Sequence, residues 1–160
     1  MSDVVVLSGH PHPGSRTLQL ATALGERLAV SRGGTGAVIV DVSELGPGLL
    51  VPGDAATGEA LLELQDATVL IVATPAYRST FSGVLKVLLD QLPANALAGV
   101  LAIPVVTADL QAQADVAEAF LARLLSDLGA DVVDFGLTAI GPELADPASA
   151  AELYTAALIS

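Results

Sequence analysis

Apolar residues along this chain follow two alternating rhythms. Short β-branched or unbroken apolar runs at residues 3–7, 37–42, 67–73, 100–106 and 131–135 read as strands. The run at 67–73 is apolar almost throughout, the pattern of a strand covered on both faces. Between these runs the spacing turns helical. Residues 17–29 carry Leu20, Leu24 and Leu28 on one face. A Gly/Pro-rich loop at 46–53 leads to a short helix near 58–65. Residues 82–92 form a third helix, ended by Pro93. Residues 115–128 read as amphipathic through Val116, Phe120, Leu124 and Leu128, with Gly129 as the stop signal. Asp146-Pro147 places an N-cap before a proline at the first helical position and opens a last helix through 158.

Five strand–helix units without a long insertion predict one doubly wound α/β domain over residues 1–160. In such sheets ligands bind beyond the carboxyl ends of the strands. The loops to read are therefore 8–17, 74–82 and 107–111.

Composition narrows the choice. At 160 residues with 52% apolar, mostly Ala, Val and Leu, the chain suits a buried parallel sheet. Its mean hydropathy is +0.67. The longest apolar run, 94–106, is broken by Gly99 and Pro104 and is too short to span a bilayer. Met1-Ser2-Asp3 lacks the basic region of a signal peptide. There is no cysteine, which excludes disulfides, thiolate metal sites and cysteine nucleophiles and favours a cytoplasmic home. Six basic residues against 18 acidic give a formal charge of −12. Such a surface repels nucleic acid and anionic membranes, so neither is expected as a partner. It also repels anionic ligands, which gives weight to any arginine in a loop after a strand.

The first loop reads Ser8-Gly9-His10-Pro11-His12-Pro13-Gly14-Ser15-Arg16-Thr17 and gathers both histidines of the chain, hydroxyls and an arginine ahead of a helix. Free amides and the helix dipole favour an anion there. Ser15 or Thr17 could simply cap the helix while His10 and His12 face solvent; capping and phosphate binding share one geometry. The spacing is not G-x-G-x-x-G. Gly9 and Gly14 have the separation of a P-loop, but Ser15 stands where its lysine belongs, and Pro11 and Pro13 remove two amides. The third strand ends in Thr74-Pro75 rather than a magnesium-binding aspartate. A terminal phosphomonoester suits the loop better.

The second loop is more specific. Thr74-Pro75-Ala76-Tyr77, followed by Ser82-Gly83-Val84-Leu85-Lys86-Val87-Leu88-Leu89-Asp90, resembles the NADPH-dependent FMN reductase family, the alkanesulfonate-type flavin reductases in particular. The first loop resembles that family's phosphate loop, G-S-P-R-x-x-S-R-[ST]. The resemblance implies a flavodoxin-like five-stranded parallel sheet of order 2-1-3-4-5 with helices on both faces. It implies that Ser15, Arg16 and Thr17 hold the phosphate of FMN, with His10 and His12 at positions the family fills with Ser and Arg. Pro75, Ala76 and Tyr77 would lie along the isoalloxazine, their backbone amides donating to it, with Arg78 at a usually basic position. Ser82, Thr107 and Asp109 complete the cofactor-binding set. The family also implies a homo-oligomer, dimer or tetramer, through the helix at 82–92. Read by themselves, Tyr77 could be a core aromatic, that helix a packing element, and Lys86 and Asp90 a surface pair.

The implied reaction is hydride transfer from NADPH or NADH to FMN, which would supply reduced flavin to a monooxygenase. The flavin carries that chemistry, so no catalytic acid or nucleophile and no metal is expected. A hydrolase triad would have to use the first-loop histidines, and no G-x-S-x-G is present. A receiver domain would need an aspartate where Thr74-Pro75 stands. One departure bears on function: the family's third loop is T-G-G, and here it is Thr107-Ala108-Asp109. Two alternatives therefore stay open, an FMN-bound quinone, azo or metal-ion reductase and a flavin-free interaction subunit of the same fold.

Overall fold

A computed structural model describes residues 3–159. Met1 and Ser2, part of the segment tested above for a leader, lie outside the described residues. Eleven regular elements follow one another: β1 Val4–Ser8, α1 Arg16–Ser31, β2 Val38–Asp41, α2 Ala55–Asp66, β3 Val69–Pro75, α3 Gly83–Leu89, β4 Leu101–Ala108, α4 Gln111–Asp127, β5 Asp131–Val132, β6 Leu137–Ile140 and α5 Pro147–Ile159. All strand pairs are parallel, in the order β2-β1-β3-β4-β5 that the resemblance implies, with β6 also paired to β4.

β1 and β3 are buried along their whole length, which is why their sequences show apolar runs rather than alternation. Their side chains still divide by parity. Val4, Val6, Ile71 and Ile103 face Leu20 and Leu24 of α1 and Tyr154 of α5. Val5, Leu7, Leu70 and Val72 face Leu64 of α2, Leu85 and Leu88 of α3, and Leu121 and Leu125 of α4. Gly25 lets α1 lie close on the sheet, since a Cβ there would fall 2.3 Å from Val6 Cγ2.

Two sequence expectations are corrected. The fifth strand, expected as one run at 131–135, is two short strands separated by a crossing segment. Pro104 is the cause. The carbonyls of Val100 and Ala102 accept from Asp131 and Val133, so even-numbered residues of β4 face this edge. Pro104 is the next such residue and has no N–H to give. Gly136 crosses there, so close that an added Cβ would lie 2.4 Å from the Pro104 carbonyl oxygen. Pairing resumes at Val105↔Leu137.

The buried face of α4 is also not the expected one. Ala114, Ala117, Leu121 and Leu125 point inward, while Val116 and Phe120 are 45% and 52% exposed. Small alanines permit close approach to the sheet, so Val116 and Phe120 are left outside, while Leu124 and Leu128 of the expected stripe still pack partly buried against the core. α4 starts a turn earlier than expected, without a side-chain cap. Gln111 braces that turn instead, donating to Asp115 Oδ1 at 2.7 Å and to Thr138 Oγ1 at 3.0 Å.

Candidate active site

The first loop leaves β1 through Gly9, whose N–H donates to the Ala73 carbonyl at 2.8 Å and extends the ladder. A Cβ at Gly9 would lie 2.8 Å from Leu85 Cβ and 3.0 Å from that same carbonyl oxygen, so glycine is required for loop and α3 to meet. Ser15 caps α1, accepting from Leu18 N at 3.0 Å. Among the described residues, nothing accepts from the N–H groups of Ser15, Arg16 and Thr17. These orphan donors at a helix start are what an anion satisfies. The Thr17 and Thr107 hydroxyls meet at 2.8 Å across ninety residues of sequence and tie the first loop to the end of β4. Whichever donates, the other retains a proton to give.

His10 is oriented from within the loop. Its Nδ1 accepts from the His12 backbone N–H at 3.0 Å, so the neutral ring carries its proton on Nε2. The ring is 5.6 Å from that of His12 and 6.2 Å, edge-on, from that of Tyr77. Burial pushes the imidazole below its ordinary range, and the charge of a protonated His12 adds to this. The backbone hydrogen bond from His12 and the charge of Asp41 oppose it. His10 is therefore a neutral donor at pH 7.

The second loop leaves β3 after Pro75. The Ala76 N–H donates to the Thr107 carbonyl at 2.9 Å and the Tyr77 N–H to the Pro75 carbonyl at 3.1 Å. Pro75 has no N–H. The amides expected to serve the flavin ring from this segment are thus engaged inside the protein. The chain then reverses in a tight turn closed by Thr80 N–H to Tyr77 O at 3.0 Å. Arg78 and Ser79 sit at its tip with φ of 51° and 62°, the left-handed region that side chains other than Gly and Asn seldom occupy. Ser82 is 1% exposed; its hydroxyl donates to the Gly9 carbonyl and accepts from Leu85 N, while its own N–H donates to Thr74 Oγ1 at 2.9 Å.

The three loops converge on a cleft of about 390 Å³ at the carboxyl ends of β1, β3 and β4. Of the residues singled out from sequence, His10, His12, Ser15, Arg16, Thr17, Pro75, Ala76, Tyr77, Thr107 and Asp109 line it. Arg78 and Ser82 do not: the first lies on the turn beyond Tyr77, and the second is buried between the loops. Ala108, part of the altered third loop, also lines the cleft, and so do Gln113 and Leu144, which were not anticipated. Gln113 enters because α4 starts early, and Leu144 because Gly141–Ala145 follows the unexpected β6. Neither carried a signal in the sequence. Ala108 and Asp109 have no left-handed backbone, so this third loop holds its course without the family's glycines.

The cleft fits FMN by its donor set: free amides at a helix start, hydroxyls of Ser15, Thr17 and Thr107, the Arg16 guanidinium, the His10 donor, and an apolar wall of Pro75, Ala76 and Leu144. Among the described residues no group of three or more His, Cys, Asp or Glu could hold a metal ion, and no helix is long and apolar enough to cross a membrane. A larger hollow of about 770 Å³ lies far from these loops, between the end of α1 and α5.

Comparison with known proteins agrees. A solved NADH:FMN oxidoreductase (EMOB, apo form) is 30% identical and superposes with a TM-score of 0.79 over 98% of this chain and 90% of its own. The NADH-dependent FMN reductase SfnF of Pseudomonas putida is 30% identical over 141 residues, 85% of this chain and 76% of that protein. The NADPH-dependent FMN reductase of Escherichia coli K12 is 39% identical over 84 residues, 52% of this chain; the match spans 44% of that enzyme's length. The sequence profile of the NADPH-dependent FMN reductases matches residues 2–142, and the chain belongs to that family.

Proposed function

We propose that this chain is an NAD(P)H-dependent FMN reductase. The observation that carries the reading is the convergence of three sequence-distant loops on one cleft whose donors suit a phosphomonoester at one end and a flat ring at the other. Ser15, Arg16 and Thr17 hold the phosphate through hydroxyl, guanidinium and helix-start amides. His10 donates from Nε2, and His12 lies beside it. Pro75, Ala76 and Tyr77 wall the ring, with Thr107 and Asp109 beside them at the end of β4. Ser82 positions the first loop through Gly9 rather than touching ligand. Bound there, FMN supplies the acceptor for the hydride of the nicotinamide.

Residues 1–160 act as one flavodoxin-like unit in this reading. The exposed Val116 and Phe120 on the outer surface of α4 support a homo-oligomer, whereas Val84 and Val87 of α3 pack partly buried against the core. Absence of cysteine supports a cytoplasmic location. A flavin-dependent monooxygenase is the partner that would consume reduced FMN. Flavin fluorescence titration with FMN, then NADPH and NADH oxidation followed at 340 nm, tests the proposal. Saturable FMN binding with FMN-dependent nicotinamide oxidation is expected. Oxidation that proceeds only with a quinone, azo dye or metal ion present would reassign the acceptor. No binding of oxidised or reduced FMN would leave an interaction subunit.

A further inference from the structure

We propose that the turn at Arg78, Ser79 and Thr80 recognises the 2′-phosphate of NADPH, with Arg78 the residue that sets preference over NADH. The inference rests on the FMN reductase reading and names a subsite for its second substrate.

In a chain of net charge −12 a second phosphate is repelled unless a cation is placed for it. The six cations are Arg16, Arg27, Arg32, Arg78, Lys86 and Arg123. Arg32 pairs with Asp3 and Lys86 with Asp90. Arg27 donates to Thr155 at the distant hollow. Arg123 lies twelve residues along α4 from its first residue, about 18 Å from the cleft end of that helix. Arg16 stands inside the cleft with the first-loop donors. Arg78 is the cation that remains, next in sequence to Tyr77, which walls the cleft and is 43% exposed.

The turn around it consists of donors. Among the described residues the Arg78 guanidinium has no hydrogen bond or ion pair, nothing accepts from the N–H groups of Arg78 and Ser79, and the Ser79 and Thr80 hydroxyls have no partner. No carboxylate lies between Asp66 and Asp90 in sequence. A guanidinium flanked by amides and hydroxyls matches the three acceptor oxygens of a phosphate. The φ values of 51° and 62° are those of the hairpin turn that Tyr77 and Thr80 close, and they leave the Arg78 side chain exposed at its tip with Ser79 half-buried beside it.

The test uses 2′,5′-ADP and 5′-AMP as probes, titrated calorimetrically into the protein with and without FMN, on wild type, Arg78→Ala, Arg78→Lys and the remote control Arg123→Ala. Wild type should bind 2′,5′-ADP at least tenfold more tightly than 5′-AMP, and Arg78→Ala should remove that difference, a loss on the order of 10- to 100-fold for the 2′-phosphate probe. Arg78→Lys should keep part of it, and Arg123→Ala all of it. In steady state, Arg78→Ala should raise KM for NADPH at least tenfold more than KM for NADH, with kcat for NADPH little altered. Equal binding of both probes by wild type, an equal loss of both in Arg78→Ala, or a weakening confined to FMN would overturn the assignment. Arg78-dependent selection of 2′,5′-ADP without FMN-dependent nicotinamide oxidation would instead refute the reductase reading and leave the subsite standing.

Discussion

Replacing Arg16 by alanine should change binding and stability in opposite directions. Arg16 is the first residue of α1, is exposed, and makes no hydrogen bond or ion pair among the described residues. It also puts a positive charge at the positive end of the helix dipole, an unfavourable placement worth about 0.3–1 kcal/mol. Removing it should therefore leave the fold intact or stabilise it by that amount. For 160 residues the unfolding entropy is about 0.3 kcal/mol per kelvin, so Tm should rise by about 1–3 °C. Loss of a charge-assisted phosphate contact costs on the order of 1.5–3 kcal/mol, roughly 10- to 150-fold in FMN affinity. Riboflavin, which lacks the phosphate, separates a phosphate contact from general damage to the cleft. Its affinity should be the same in wild type and Arg16→Ala. Fluorescence titration of both flavins together with thermal unfolding decides the matter. Unchanged FMN affinity, an equal loss for riboflavin, or a lowered Tm would refute the reasoning.

Other consequences follow from neighbouring contacts. Ser82→Ala removes a helix cap and strands the buried Gly9 carbonyl, so it should destabilise by about 1–3 kcal/mol, seen as a Tm lower by about 3–9 °C, and weaken FMN and riboflavin alike. Asp109 lines the cleft, and beside a bound isoalloxazine its carboxylate should disfavour an anionic reduced flavin by about 1 kcal/mol. In anaerobic titrations Asp109→Gly should thus tighten reduced FMN about fivefold more than oxidised FMN; equal tightening would remove Asp109 from the electrostatics. His10 has its pKa lowered on folding, so the unfolded chain takes up the proton more readily. The contribution of His10 to stability is fully present above its ordinary pKa of about 6.5 and is lost as pH falls below it. Plotted from pH 8 to 5.5, the Tm of His10→Gln should fall less steeply than that of wild type; parallel curves would show that the ring's burial has no energetic weight.

Much of this was legible in the amino-acid sequence because it rests on local chemistry. Ser15 ahead of a helical run and Asp146 before Pro147 are caps that need only their own neighbours, and each one caps in the structure. The apolar runs of β1 and β3 announce burial on both faces whatever covers them. The phosphate loop and the Pro75–Tyr77 segment are contiguous, so their residues reach the cleft together. What the sequence left undecided depends on residues that meet only after folding. The split of the fifth strand is written in Pro104, but only the orientation of its missing N–H toward that edge makes the proline matter. Val116 and Phe120 form as good a helical stripe as Ala117 and Leu121; closeness to the sheet chose the smaller one. Ser82 belongs to the flavin motif by position, yet its hydroxyl is spent on Gly9, seventy-three residues away. Gln113 and Leu144 carried no chemistry to notice and reach the cleft because α4 begins early and β6 exists. Local patterning is set by covalent neighbours and periodicity, whereas the cleft's outer wall is set by contacts whose partners are distant in the chain.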